Sequence, residues 1–196
     1  MKRVQLFLAA IIVVFASCEQ NAPKEPMGSL NGHECVDLGL SVKWATMNVG
    51  AQSPEKCGWL FAWGETKIKN EYTLQTYFSP VSEDGFTLKN DAAHANWGGR
   101  WRMPTEEEWK ELQAYCTWDW TIQNGIEGYL VTSMTNQNSI FLPCTHGARG
   151  YYWSSSSIRP YPNGPYHPIV LNFTNSITRR DNVDAYEGYA VRPVCR

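Results

Sequence analysis

"RWRMPTEEEW", Arg100 to Trp109, sets three adjacent carboxylates beside two arginines and a tryptophan at each flank. Such a cluster either does chemistry or starts a helix. Thr105 followed by Glu108 fits a capping box, in which the hydroxyl accepts from the amide three residues on and the carboxylate reaches back to the cap amide. Glu106 and Glu107 then fall in the first turn, where negative charge meets the positive end of the helix dipole. Pro104 blocks extension backwards. Trp109, Leu112 and Cys116 follow at i, i+3 and i+7, an apolar stripe that packs inward. All three carboxylates have structural employment, so the stretch predicts framework, and Arg102 is expected to pair with a carboxylate or with backbone oxygens beside the cap.

Upstream, "VDLGLSVKW" places Val36, Leu38, Leu40, Val42 and Trp44 on one side and Asp37, Gly39, Ser41 and Lys43 on the other. This alternation predicts a half-buried strand or a tight strand pair broken at Gly39. "GWLFAWGE", 58 to 65, is a second short strand, and residues 66 to 90 read as a long polar excursion with scattered aromatics. "DAAHANW", 91 to 97, predicts a short helix stopped by Gly98 and Gly99. Downstream, "GYLVTSM", "SIFLPC", "GYYWSSS", "PIVLNFT" and "GYAVRPV" are short apolar runs between Gly, Pro, Asn and Ser clusters. Strands so spaced imply antiparallel pairing, and two helices before a run of strands argue an α+β fold, not an alternating βαβ sheet.

A chain of 196 residues fits one core. With 43% hydrophobic residues, 18% charged residues and a net charge of -2, it is neither a disordered tail nor a basic nucleic-acid binder, so no nucleic-acid partner is expected. Lys2 and Arg3 precede an apolar run from Val4 to Ala16, shorter than the ~20 residues that span a bilayer, which reads as a secretory signal. "FASC" resembles the lipobox of bacterial lipoproteins, although Phe15 stands where leucine is commoner. It makes Cys18 the candidate lipidated residue and gives residues 1–18 as signal, 19–32 as a polar tether and 33–196 as the domain. Export to the outer membrane with a lipid anchor is the expectation. Cys35, Cys57, Cys116, Cys144 and Cys195 then remain, an odd number in an oxidising compartment. Cys35 and Cys195 can close the domain if its ends meet, and no spacing suggests a zinc site.

"VDLGLSVKWATMNVG", "FAWGET", "NWGGRWRMPTEEEW", "SIFLP", "YWSSS" and "GYAVRPV" occur in one order from about Asn31 to Val194. Together they resemble the major paralogous domain family named after Fibrobacter succinogenes, found in exported proteins of Gram-negative bacteria. "RMPTEEEW" and "EGYAVRPV" are also similar to segments of formylglycine-generating sulfatase-modifying proteins. Both resemblances imply a C-type-lectin-like fold with adjacent N- and C-terminal strands, small twisted antiparallel sheets, two helices and long loops.

Fold alone does not give activity. The formylglycine-generating proteins act through paired redox cysteines near an RGGSW segment. Here "GGRW", 98 to 101, precedes the helix and no cysteine pair accompanies it, so no catalytic residue is assigned and that enzyme remains the alternative, with a structural part of a surface assembly as a third reading. The serine run Ser154 to Ser157 lacks a nucleophile-elbow context and reads as strand hydroxyls bonding backbone. The EPN or QPD triplets and WND segment of calcium-dependent sugar binders are absent, and no metal or cofactor is expected.

The favoured expectation is a binding or adhesion module recognising a glycan or protein at the cell surface. "IRPYPNGPYHP", 158 to 168, and "NSITRRDNVDAYEG", 175 to 188, are polar connections rich in tyrosine and arginine, the residues that give large contact area at modest entropy cost. The candidate contacts are Trp153, Arg159, Tyr161, Asn163, Tyr166, His167, Arg179, Arg180, Asp181 and Tyr186. Trp153 also belongs, with Trp44, Trp63, Trp97 and Trp109, to the rings expected to fill the core.

Overall fold

The computed structural model describes residues 28–78, 80–82, 85–159, 161 and 164–196. The signal, Cys18 and residues 19–27 of the expected tether lie outside them. Twelve short strands and two helices build an α+β fold: β1 (Ser29–Leu30), β2 (His33–Val36), β3 (Lys43–Ala45), β4 (Leu60–Phe61), α1 (Ala92–Trp97), α2 (Glu106–Tyr115), β5 (Cys116–Gln123), β6 (Ile126–Ser133), β7 (Ser139–Pro143), β8 (Gly150–Ile158), β9 (His167–Phe173), β10 (Thr178–Asn182), β11 (Tyr189–Ala190) and β12 (Val194–Cys195). They form three sheets, ordered β1-β2-β3-β12, β10-β9-β8-β11-β4 and β5-β6-β7. Pairing is antiparallel throughout except that β11 runs parallel to β8. Ser29 and Leu30 pair with Glu34 and His33, so β1 already belongs to the first sheet, with Asn31 and Gly32 as the turn into β2.

The alternation over 36–44 resolves as a strand pair. Val36 faces Trp44 across β2 and β3, and the chain turns between them through Gly39 at φ 70°. On the other side of Trp44 lies Val194, so the last strand closes against the first long segment. The five described cysteines are free thiols. Cys35 and Cys195 meet as hydrogen-bonded neighbours in a core cluster that also holds Trp63, Trp97, Trp101 and Trp153. A second cluster gathers Trp44, Trp109, Leu112, Tyr129, Tyr152 and Phe173. Trp44 and Trp109 are wholly buried, with ring centroids 4.6 Å apart. β5 carries Trp118 and Trp120, both half-buried against this cluster, and the turn into β6 is Asn124-Gly125 with both residues at positive φ, the geometry a two-residue hairpin needs.

The start of α2 is built as the sequence predicts, whereas Cys116, expected on its inward stripe, opens β5. Thr105 Oγ1 accepts from the Glu108 amide at 3.2 Å, and Glu108 Oε2 accepts from the Thr105 amide at 2.8 Å. Arg102 closes the arrangement with two bonds to the same carboxylate, 2.8 Å to Oε2 and 2.5 Å to Oε1. The Arg102 backbone bridges Val194, tying the helix start to β12. The serine run completes the cap. Between Trp153 and Ser157 the β8–β9 register shifts, and the bulged serines turn toward α2. Ser155 N donates to Pro104 O at 2.8 Å, and Ser156 Oγ accepts from Glu106 N at 2.9 Å. Ser154 Oγ donates to Ile169 O at 2.7 Å, so this serine is a backbone tie.

Burial opposes the charge on Glu108, but the Arg102 and Thr105 hydrogen bonds outweigh it and hold the carboxyl below its ordinary range. A depressed folded-state pKa gives stabilisation that is complete above the unfolded value and is lost as pH falls through the folded one. Asp91, buried as the α1 cap, has the opposite sign, because desolvation exceeds the help of the His94 and Met103 amides. Comparing wild type with Glu108→Gln cancels Asp91. The stability difference measured by urea unfolding is expected to shrink as pH drops from neutrality into the acid range; a difference independent of pH would disprove the linkage.

Candidate ligand cleft

β8 and β9 pair antiparallel as far as Ile158 opposite His167, and Arg159 and residues 164–166 lie just beyond that last pair. Arg159 leaves β8 and folds back so that its Nε donates to Gly164 O at 3.1 Å. Its guanidinium lies over the Tyr166 ring, 4.9 Å from the centroid. Tyr166 in turn donates its hydroxyl to Ser82 O at 3.2 Å and packs on Trp63 with centroids 5.9 Å apart. Trp63 is the hub. Its backbone N–H reaches Ala185 O at 2.8 Å, its carbonyl accepts from the Tyr77 hydroxyl at 2.9 Å, and its indole N–H donates to Ser154 O at 2.9 Å.

Around this hub three separated segments meet in a cleft of about 550 Å³: Leu74, Tyr77, Val81 and Ser82 from the central excursion, Arg159 and Gly164 to His167 from the hairpin, and Asp184 to Tyr186 from the last connection. That volume lies within the range of small-molecule sites. The Tyr186 hydroxyl donates to Asp184 Oδ2 at 2.8 Å, and this bond to a carboxylate raises the tyrosine pKa.

Four of the residues expected from sequence, Arg159, Tyr166, His167 and Tyr186, share this cleft. Tyr161 is 72% exposed and does not line it, and Asn163 lies outside the described residues. Trp153 is corrected to a core residue: it is fully buried and its indole N–H donates to Phe61 O at 2.6 Å, leaving no surface for a ligand. Arg179, Arg180 and Asp181 do not line the cleft, and the expected loop around them is corrected. They form strand β10, not a loop, in register with Asn172, Leu171 and Val170 of β9. Arg180 turns toward α2, donating to Gln113 and lying 3.5 Å from Glu106. On the other face Arg179 pairs with Asp181 at 2.8 Å. Sequence reading missed Leu74, Tyr77 and Val81, although apolar positions spaced three and four apart inside a polar excursion are a usable signal.

The five described cysteines do not line the cleft. Burial pushes the Cys116, Cys144 and Cys195 thiols up to about 11 and raises Cys57 as well, so all four are held in the neutral, less nucleophilic form. Among the described residues no group of three His, Cys, Asp or Glu side chains is close enough to hold a metal ion, and no helix is long and apolar enough to cross a membrane. Comparison with protein-family models, curated proteins and solved structures finds no match.

Proposed function

We propose that this chain is an exported, lipid-anchored recognition module with a C-type-lectin-like fold of the Fibrobacter major paralogous domain type. It serves adhesion by binding a glycan, or a protein segment of similar width, in the cleft beside the β8–β9 hairpin. The observation that carries this reading is the convergence of Arg159, Tyr166, His167 and Tyr186 with the central excursion around one buried tryptophan. Variable connections on a rigid sheet are where recognition residues are tolerated, because the frame is fixed elsewhere. The raised thiols favour binding over redox-cysteine catalysis. Signal, Cys18 anchor and outer-membrane placement are carried by the basic-apolar start and "FASC" alone.

The test is a glycan array probed with wild type and three variants. His167→Ala and Tyr186→Ala are expected to weaken retention of the bound glycan about tenfold, the effect of truncating an interface anchor. Arg179→Ala, on β10, is expected to change nothing. The reading fails if both cleft variants bind like wild type, or if no glycan or surface protein is retained at all.

A further inference from the structure

We infer that the ligand of this cleft is acidic, a sugar bearing a carboxylate that Arg159 receives; this rests on the cleft being the glycan site. Among the described arginines, Arg100, Arg149 and Arg196 are exposed to solvent, and four others are satisfied within the protein. Arg102, Arg179 and Arg180 each lie within 3.5 Å of a carboxylate. Arg192 donates from all three of its nitrogens to oxygens of the protein. Arg159 is half-buried and differs. Only its Nε is used, on Gly164 O, and its flat face rests on Tyr166. Among the described residues its two terminal nitrogens have neither a hydrogen bond nor an ion pair.

A guanidinium fixed at Nε and stacked on one face has already lost most of its rotamer freedom, so its remaining fork is a prearranged receiver for two parallel oxygens. A carboxylate matches that fork; a sugar hydroxyl does not, and would leave the charge partly desolvated without a counter-charge. Asp184, the carboxylate among the described lining residues, is engaged by the Tyr186 hydroxyl. Leu74, Tyr77 and Val81 supply the apolar wall on which a pyranose face can lie.

The probes are a glucuronic-acid trisaccharide, its methyl ester and the glucose trisaccharide of the same linkage, titrated calorimetrically into the folded chain at low and high salt. The acid is expected to bind at least tenfold tighter than the ester or the glucose form, with the advantage shrinking as salt rises. Arg159→Met is expected to equalise the three, and the acid-versus-ester comparison on wild type decides the matter even if that variant does not fold. Equal or tighter binding of the neutral forms, lost in Tyr186→Ala, would overturn the acidic class and leave the glycan site standing. Absence of binding by all three would overturn the acidic class, while retention of another ligand on the array, sensitive to His167→Ala, would keep the cleft as a recognition site.

Discussion

Arg192→Met is expected to lower the free energy of unfolding by about 3–5 kcal/mol, measured as a shift in the denaturant midpoint at unchanged slope. Arg192 is fully buried, and among the described residues it has no ion pair with a carboxylate. Its Nε donates to Asn48 Oδ1 at 2.8 Å, one terminal nitrogen to Ala45 O at 3.0 Å and the other to Phe141 O at 2.8 Å. Burial draws its pKa down to about 10, with the neighbouring Tyr152 opposing, so it still carries its charge at neutral pH. Methionine removes the desolvation cost of a cation but strands three buried acceptors, each worth about 1–3 kcal/mol. The acceptors win. Ala45 lies on β3 and Phe141 on β7, so one side chain joins two sheets from the segment between β11 and β12. Arg192→Lys, with one nitrogen unable to span three oxygens, is expected to fall between. A loss below about 1 kcal/mol for methionine would show that the site relaxes around its absence.

The second large effect is Trp153→Ala, expected to destabilise by about 3–5 kcal/mol through the cavity it leaves. Its ring packs on Tyr189 with centroids 4.9 Å apart and its N–H satisfies Phe61 O across the sheet. Trp153→Phe, which keeps most of the volume but loses that bond, should cost less and leave ligand retention intact once folded. Retained stability in the alanine variant, with selective loss of binding, would return Trp153 to the recognition surface.

The parts of the fold that could be read from the chain were those specified within a few residues. The Thr105–Glu108 box, the Gly98 stop and the alternation on either side of Gly39 each depend on near neighbours, and each forms as expected. β10 could not be read this way. "TRRDN" has the composition of a loop, and it becomes a strand because β9 offers a free edge and because Gln113 and Glu106, distant in sequence, receive Arg180. "GYAVRPV" reads as one strand yet splits between two sheets. Arg192 must point inward to three acceptors and Pro193 has no N–H to give a ladder, though its carbonyl accepts from Ala45 N at 2.9 Å. For the cleft, the hairpin residues were legible because tyrosine and arginine on a proline-stiffened connection are an unusual composition. The opposite wall was not, since Tyr77 and Val81 acquire meaning only through Trp63, which holds the excursion in place.

The pairing of β12 with β3, which brings Cys195 beside Cys35, bears on how such a unit can be handled. Cys35, which neighbours Gly28, touches Cys195 at the far end of the fold. A short peptide could therefore splice the two extremities, and new ones could be opened at the exposed Asn124-Gly125 turn without cutting any ladder of the three sheets. By the same geometry the folded body can be set into a host loop or strung in series.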